Sequence, residues 1–497
     1  MDDEPDIHRS CVGPSTPIEW TSGLATKTIF FSVGEPSGDQ HAARLIAALH
    51  GTNKKTSVSR SGSATASPGE ASQLFASGSR EAPFGISGDL VAANGQAIRC
   101  RGFGGQAMRA AGCDLDLDLT GHAVVGLVEV LPKLRDFFRF ADQAEAIFAA
   151  GGVDAVVLVD FPGFNWHIAK RARRHQIPVY YYCPPQLWAW GGWRTRKMRR
   201  LVDEVLAVLP VEVDYFQKHG IPSTWVGHPF FDAVADYPLD GNLMAHLQPT
   251  AGAPHRTVAV LPGSRDHEVH QNFPIMLEAI RRLQNDPAVQ SSEPVRYAVA
   301  AYRDRHCLWC RQQLTEADAD LPIDFFAGKT SEIIQAADCA MMVSGSVSLE
   351  LMARGTPAAV VYRVGRLLHA VAKRLVKVDT ITLPNLMSPR KVFPEFVSVG
   401  PVEPAVAFLH ETMRAMLTDQ YYRSRLQGEL NSLTQRYGMP GASRRAAAEI
   451  RRLLAGTPST RGRSIKSGEQ QDAETVCYPP RLANGTRNEQ TKTRRAA

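Results

Sequence analysis

The sequence predicts an α/β protein made of two doubly wound halves facing one another across a cleft, and three observations predict it. Short apolar runs, of which Asp154-Ala-Val-Val-Leu-Val-Asp160 and Thr257-Val-Ala-Val-Leu261 are the clearest, read as buried parallel strands. Each run leads through a turn of small or hydroxyl residues into an amphipathic pattern, the rhythm of a parallel sheet covered by helices. A stretch at 232–254 reads as a linker that divides the series in two.

Composition narrows the function. The chain has 497 residues, 44% apolar and 21% charged, the balance of an ordinary globular protein with room for two domains. Its net charge is +6, but residues 457–497 hold eight Lys or Arg against four Asp or Glu. The remainder is nearly neutral, which argues against a nucleic-acid partner. Eight cysteines form no disulfide framework, and Cys307-Leu-Trp-Cys310 lacks the second pair of a zinc site, so reduced packing thiols and a cytoplasmic location are expected. No apolar run reaches the length needed to cross a bilayer.

Taken in order, residues 1–26 read as a flexible leader and 27–230 as the first half. Thr28–Val33 is a strand, and the turn after it, with Gly34, Glu35, Ser37, Gly38 and Asp39, lies where ligands bind in open α/β sheets. The same turn also reads as a plain βα connection with Ser37 or Asp39 as N-cap. Residues 51–97, rich in Ser, Gly and Ala, are expected to be a disordered insertion. Gly102-Phe-Gly-Gly105 fits a tight turn against neighbouring backbone better than a dinucleotide loop, and Asp114–Asp118 fits a half-buried edge strand better than a metal site. Val124, Val125, Leu127, Val128, Val130, Leu131 and Leu134 make an apolar face rimmed by Lys133, Arg135 and Arg139. That face suits a membrane surface or acyl chains, or equally a buried core helix.

Asp160 closes the strongest strand and is a candidate general base at the crevice, or a cap for the turn Phe161–Asn165. Pro178–Cys183 is the next strand. An aromatic loop at 184–193 and Arg194, Arg196, Lys197, Arg199 and Arg200 follow it, a mixture suited to a phosphorylated, partly apolar ligand. The second half spans 255–402. Its first turn, with Gly263, Ser264 and Arg265, offers backbone donors and a guanidinium to a diphosphate. Cys339–Val343 is a strand, and Ser344, Gly345, Ser346 and Ser348 open a helix whose start favours phosphate, with Glu350 placed to accept from a ribose diol. The competing reading makes Ser346 or Ser348 an N-cap with Glu350 as its partner. Arg366–Lys377 reads as a basic amphipathic helix, Leu383–Leu386 as a loop, 403–455 as helices and 456–497 as a disordered tail.

Eight stretches in this order resemble the lipid-A-disaccharide synthase family, glycosyltransferases of the two-Rossmann (GT-B) class. They are Ser32–Asp39, Val124–Leu131, Asp160–Asn165, Pro185–Trp190, Val226–Pro229, Leu261–Glu268, Ser344–Glu350, and Lys373–Asp379 with Leu383–Leu386. The resemblance covers roughly residues 27–455. It implies an inverting transfer, without metal or cofactor, from UDP-2,3-diacylglucosamine to 2,3-diacylglucosamine 1-phosphate. It also implies Asp160 as base, Arg265 and the Ser344–Ser348 turn on the departing UDP, and Glu350 on the ribose. Asn385 lines the donor side, the Gly34–Asp39 loop faces the acceptor, and residues 124–138 touch acyl chains or the cytoplasmic face of the inner membrane. A homodimer with C-terminal helices crossing between subunits is the family's pattern. The chain departs from that pattern at Pro36, at Gly191-Gly-Trp193, in the insertion and in the tail. Another UDP-sugar enzyme of the same architecture, such as an epimerase, and a non-catalytic UDP-binding scaffold are the rival readings.

Overall fold

The computed structural model describes residues 26–51, 97–121, 130–249, 254–366 and 380–456, with backbone alone at 130–134. Most of the expected insertion, Val124, Val125, Leu127 and Val128, most of the Arg366–Lys377 helix and the tail lie outside the described residues. So do the side chains of Val130, Leu131 and Leu134.

Two all-parallel sheets carry the fold. The first contains β1 (Lys27–Val33), β2 (Ile98–Gly104), β3 (Asp114–Asp118), β4 (Ala155–Val159), β5 (Val179–Tyr182), β6 (Glu204–Ala207) and β7 (Ser223–Trp225). The second contains β8 (Arg256–Leu261), β9 (Val295–Ala301), β10 (Ile323–Ala327), β11 (Cys339–Met342), β12 (Ala358–Val364) and β13 (Glu395–Val399). The strand orders are 3-2-1-4-5-6-7 and 10-9-8-11-12-13, so the order in which strands are added reverses once in each sheet, between β1 and β4 and between β8 and β11. Such a reversal opens a crevice beyond the strand ends. Val33 pairs with Val159, and Leu261 with Met342, so the loops that follow start side by side.

The alternation of each strand divides its residues between two cores. Ile29, Phe31 and Val33 pack with Ala42, Leu45, Ile46 and Leu49 of the helix Pro36–Leu49. Phe30 points to the other face, edge-on to Phe103 and Phe148 at 5.1 Å each. That first helix begins at Pro36, inside the stretch the sequence reads as a turn, and proline at the first helical position gives up no needed N–H.

The stretch read as a linker instead holds the helices Pro229–Asp236 and Gly241–Leu247, the second capped by Asp240 on Asn242 N and Leu243 N. Leu383–Met387, expected to be a loop, is a short helix. The helix Glu403–Thr418 covers the second sheet, and Gln420–Tyr437 leads back toward the first. The helix Ala442–Leu454 packs Ala446, Ala447 and Ile450 into the first core. Asp232 fastens it by accepting from Gly441 N (2.5 Å), Ala442 N (3.0 Å) and Ser443 N (2.8 Å).

Candidate active site

Four loops, those after β1, β4, β8 and β11, lie at the two reversals. Asp160 and Phe161 both adopt left-handed backbone (φ 46° each), which costs free energy for residues with a Cβ. Buried Asn165 holds them there. Its Nδ2 donates to the Asp160 carbonyl at 2.7 Å, with longer bonds to the carbonyls of Ser32 and Val159. The Ser32 Oγ donates to its Oδ1 at 2.7 Å, and the Tyr181 hydroxyl also donates to the Asp160 carbonyl, at 2.8 Å. The Asp160 carboxyl, largely buried, sits above the ordinary aspartate value because burial disfavours its charge, partly offset by the Phe161 N–H.

Gly34 touches the Phe161 ring, so the loops after β1 and β4 are in contact. Glu35 follows, and its carboxyl is raised first by burial and then by Asp160, while Arg265 pulls it down. Arg265 belongs to the second half, so the first half's acids and the second half's guanidinium act within one gap. Ser37 is exposed in the first turn of the helix that follows, and Gly38 packs on Val33. Asp39 is buried and caps the next helix, Gln106–Ala110. Its carboxylate accepts from Gly105 N (2.9 Å), Ala107 N (2.9 Å) and Met108 N (3.2 Å).

The turn after β8 is built around a carboxylate of its own. Glu268 Oε2 accepts from Ser264 N (3.0 Å) and Arg265 N (3.2 Å), and Oε1 from Arg265 Nη1 (2.9 Å). The Ser264 and Arg265 amides that the sequence offers to a diphosphate are therefore engaged inside the protein, while part of the Arg265 guanidinium stays exposed. Gly263 (φ 128°) lies against Glu268, where a Cβ would come within 2.5 Å of its side chain.

The turn after β11 is more open. Gly345 and Ser346 are exposed, and the helix Val347–Arg354 starts there with no side-chain cap; Ser348 N and Leu349 N donate to the Gly345 and Ser346 carbonyls (3.1 and 3.0 Å), so the amides left for an anion are those ahead of Ser348. Ser344 Oγ donates to the Ile381 carbonyl (2.5 Å), and buried Ser348 Oγ to the Gly345 carbonyl (2.7 Å). Glu350 is buried and bonded to Arg354 Nε at 3.0 Å, so it is no capping partner of Ser346. Asn385 is buried and clamps its own loop, donating to the Phe393 carbonyl and accepting from Val392 N and Phe393 N.

Two other motifs sit apart from this gap. Asp114 and Asp116 pair with Arg99 and Arg101 on the sheet's edge strand, as alternation suggested. Cys307 and Cys310 are buried, and burial lifts the Cys310 thiol to about 12. The hollows around His255 and Arg296, and around Tyr180 and Asp203, open at the opposite ends of the strands.

The family model described as lipid-A-disaccharide synthetase matches residues 85–417. The chain belongs to that family. It is therefore a glycosyltransferase of the UDP-sugar-acting GT-B class. A lipid-A-disaccharide synthase of Syntrophus aciditrophicus is 33% identical over 435 residues, covering 87% of this chain and 99% of the relative. One from Myxococcus xanthus is 30% identical over 427 residues, covering 86% and 97%. In fold, the chain is similar to a crystal structure of UDP-N-acetylglucosamine 2-epimerase with TM-score 0.52 at 12% identity, covering 88% of this chain and 98% of the other. Another such epimerase, from Neisseria meningitidis, gives TM-score 0.50 at 10% identity, covering 86% and 99%.

Within this family frame two residues emerge that sequence reasoning left without a role. Asn165 closes a motif of the resemblance but reads from sequence as a turn residue, because its partner Ser32 lies 133 positions away. Glu268 stands three residues after Arg265, the spacing of a capping carboxylate, and that was the available signal. Among the described residues no helix is long and apolar enough to cross a membrane.

Proposed function

We propose that this glycosyltransferase joins UDP-2,3-diacylglucosamine to the 6-hydroxyl of 2,3-diacylglucosamine 1-phosphate, giving the β(1→6) disaccharide 1-phosphate and UDP. The observation that carries the reading is the meeting of loops from both halves: Gly34 and Glu35 lie against the turn of Asp160 and Phe161, and Arg265 of the second half stands near Glu35. A base for the acceptor and a cation for the leaving group then border one space.

The acceptor oxygen attacks C1 of the donor sugar from the face opposite the diphosphate. The bond from C1 to the diphosphate oxygen breaks, UDP departs, and the configuration inverts. Asp160 takes the hydroxyl proton as the new bond forms. Burial raises its pKa above the ordinary aspartate value, which makes its carboxylate a stronger base than an exposed one. Charge accumulating on UDP meets Arg265 and the open helix start at Gly345 and Ser346. Glu350 holds the ribose through the oxygen not bonded to Arg354, and Asn385 acts by fixing the loop 385–393 beside the donor. The loop from Gly34 to Asp39 faces the acceptor through Glu35 and Ser37, with Asp39 fixing its far end.

Both substrates carry acyl chains, so the reaction belongs at the cytoplasmic face of the inner membrane, with the apolar 124–134 segment as the contact. The halves 27–230 and 255–402 act as acceptor and donor domains, and the C-terminal helices provide a surface for a homodimer. Mixing the purified chain with both substrates tests the reading. Disaccharide 1-phosphate and UDP in equal amounts are expected, whereas bound UDP with no disaccharide formed would overturn it.

A further inference from the structure

The loop after β5 leads to a cluster of cations that the mechanism leaves unused. Arg194, Lys197 and Arg200 lie along the 3-10 turn Gly192–Arg194 and the helix Thr195–Leu201, and Lys170 comes from the helix Pro162–Arg174. Lys197 is held below the ordinary lysine value by burial and then by Arg194, Arg200 and Lys170. Nearby arginines are paired: Arg171 with Asp142, Arg173 with Asp203, Arg174 with Glu145. Among the described residues, Lys170, Arg194, Lys197 and Arg200 have no carboxylate at salt-bridge distance. Like charges gathered without a counter-ion repel, so the arrangement is one that an anion stabilises.

Aromatic rings frame the cluster. The Arg194 guanidinium lies 4.9 Å from the Trp190 ring centroid and 5.6 Å from that of Trp193, and the Lys197 ammonium lies 5.3 Å from that of Trp166. Trp190 is 43% and Trp193 64% exposed, so two indoles stand in water beside bare cations. The position is also informative. Arg194 and Asp160 both act on Tyr181, whose hydroxyl holds the Asp160 carbonyl. Arg194 and the turn of Asp160 therefore both lie near Tyr181, on the half of the molecule that does not carry Arg265.

We propose that Arg194 and Lys197, backed by Lys170 and Arg200 and rimmed by Trp190 and Trp193, form a phosphomonoester subsite for the anomeric phosphate of the acceptor. The inference rests on the reading of the acceptor given above. A phosphomonoester carries nearly two negative charges at neutral pH and presents oxygens that a guanidinium grips in pairs. The exposed indoles offer apolar surface to the lipid portion beside it. The donor's diphosphate is met by Arg265 on the other half, so the two substrates are told apart by which half bears the matching cations.

The headgroup of an anionic lipid presents the same chemistry, and the experiment separates the two sources. Rates are measured with the sugar 1-phosphate acceptor and with the same sugar bearing a free 1-hydroxyl. In the full chain carrying R194A and K197A, KM for the phosphorylated acceptor rises about 10- to 100-fold, the scale of losing charge-assisted bonds. KM for the donor stays within about twofold and the preference for the phosphorylated acceptor disappears, while binding to phosphatidylglycerol vesicles is unchanged. Donor KM serves as the check on folding, and R194K alone falls between the two. A preserved preference overturns the inference. So does an equal loss with both acceptors accompanied by loss of vesicle binding, which would assign the cluster to the membrane. Equilibrium binding of the phosphorylated acceptor to the D160N chain, with and without R194A and K197A, reads the subsite without turnover. If the natural chain makes no disaccharide, the proposed reaction fails while this binding arm still decides the subsite.

Discussion

Phe161 lies against Gly34: a β-carbon at position 34 would come within 2.1 Å of the Phe161 ring. The ring is thus a spacer between the loop that carries Glu35 and the turn that carries Asp160. Gly34→Ala must push Phe161 aside, and with it the backbone that aims the Asp160 carboxylate. A displacement near 1 Å at a reacting group costs about 100-fold, so on the proposed mechanism kcat should fall on that order while UDP affinity holds. Steady-state kinetics beside UDP calorimetry checks this.

Asp160→Asn should lower kcat by about two to four orders of magnitude, the scale of losing a general base, with UDP binding nearly unchanged. Because the folded-state value lies above the ordinary 3.8, the acid limb of kcat/KM should lie above that value as well. Stability has the opposite dependence on pH. Between the unfolded and folded values the folded chain holds more protons, so Asp160's contribution falls as pH rises through that window. Above that window the ionised group is a burden on the fold, and D160N should melt no lower than the natural chain.

Asn165→Ala removes the amide that bonds four partners at the ends of β1 and β4. Carbonyls left buried without a donor cost about 1–3 kcal/mol each at most, and several are affected, so a loss of roughly 2–4 kcal/mol is expected by urea unfolding. Ser32→Ala, which orphans only the Asn165 carbonyl oxygen, should cost about 1–2 kcal/mol on the same scale.

His41 and His228 meet edge-on at 6.1 Å where the first helix approaches the helix Pro229–Asp236. Burial holds His41 down to about 4 and His228 to about 3, against an ordinary 6.5. Arg44 lowers His41 further while Asp232 opposes, and His41 adds to the shift of His228. Below pH 6.5 the unfolded chain takes up protons that the folded chain refuses, so stability is lost as pH falls toward 4 and then 3, by about 1.4 kcal/mol per pH unit for each ring. His228→Asn keeps an acceptor for the Phe230 N–H and removes one of the two titrations. Melting temperatures from pH 7 to 4 should therefore fall less steeply in the variant.

Much of the architecture was legible because parallel strands buried on both faces leave unbroken β-branched runs, as at Ala155–Val159. The crevice loops followed from where those runs stop. Side-chain roles were harder to read, since they depend on partners that the sequence does not place nearby. Asp39 and Asn385 look available in their loops, yet backbone amides from Gly105 to Met108 and from Val392 and Phe393 occupy them. Glu268 takes the donors that Ser264 and Arg265 offer, a competition invisible until the turn is folded. The stretch after Phe231 looked like a linker because its helices are short, although Asp240 before Gly241 carries the mark of a helix start.

The clasp of Asp232 on Gly441–Ser443 joins positions 209 to 211 residues apart. A ribosome therefore releases the first sheet while one of its covering layers is still unmade. The apolar side of the 36–49 helix must wait for Ala446, Ala447 and Ile450 to emerge. Maturation of the two halves is thereby synchronised: the half that is synthesised first is finished last.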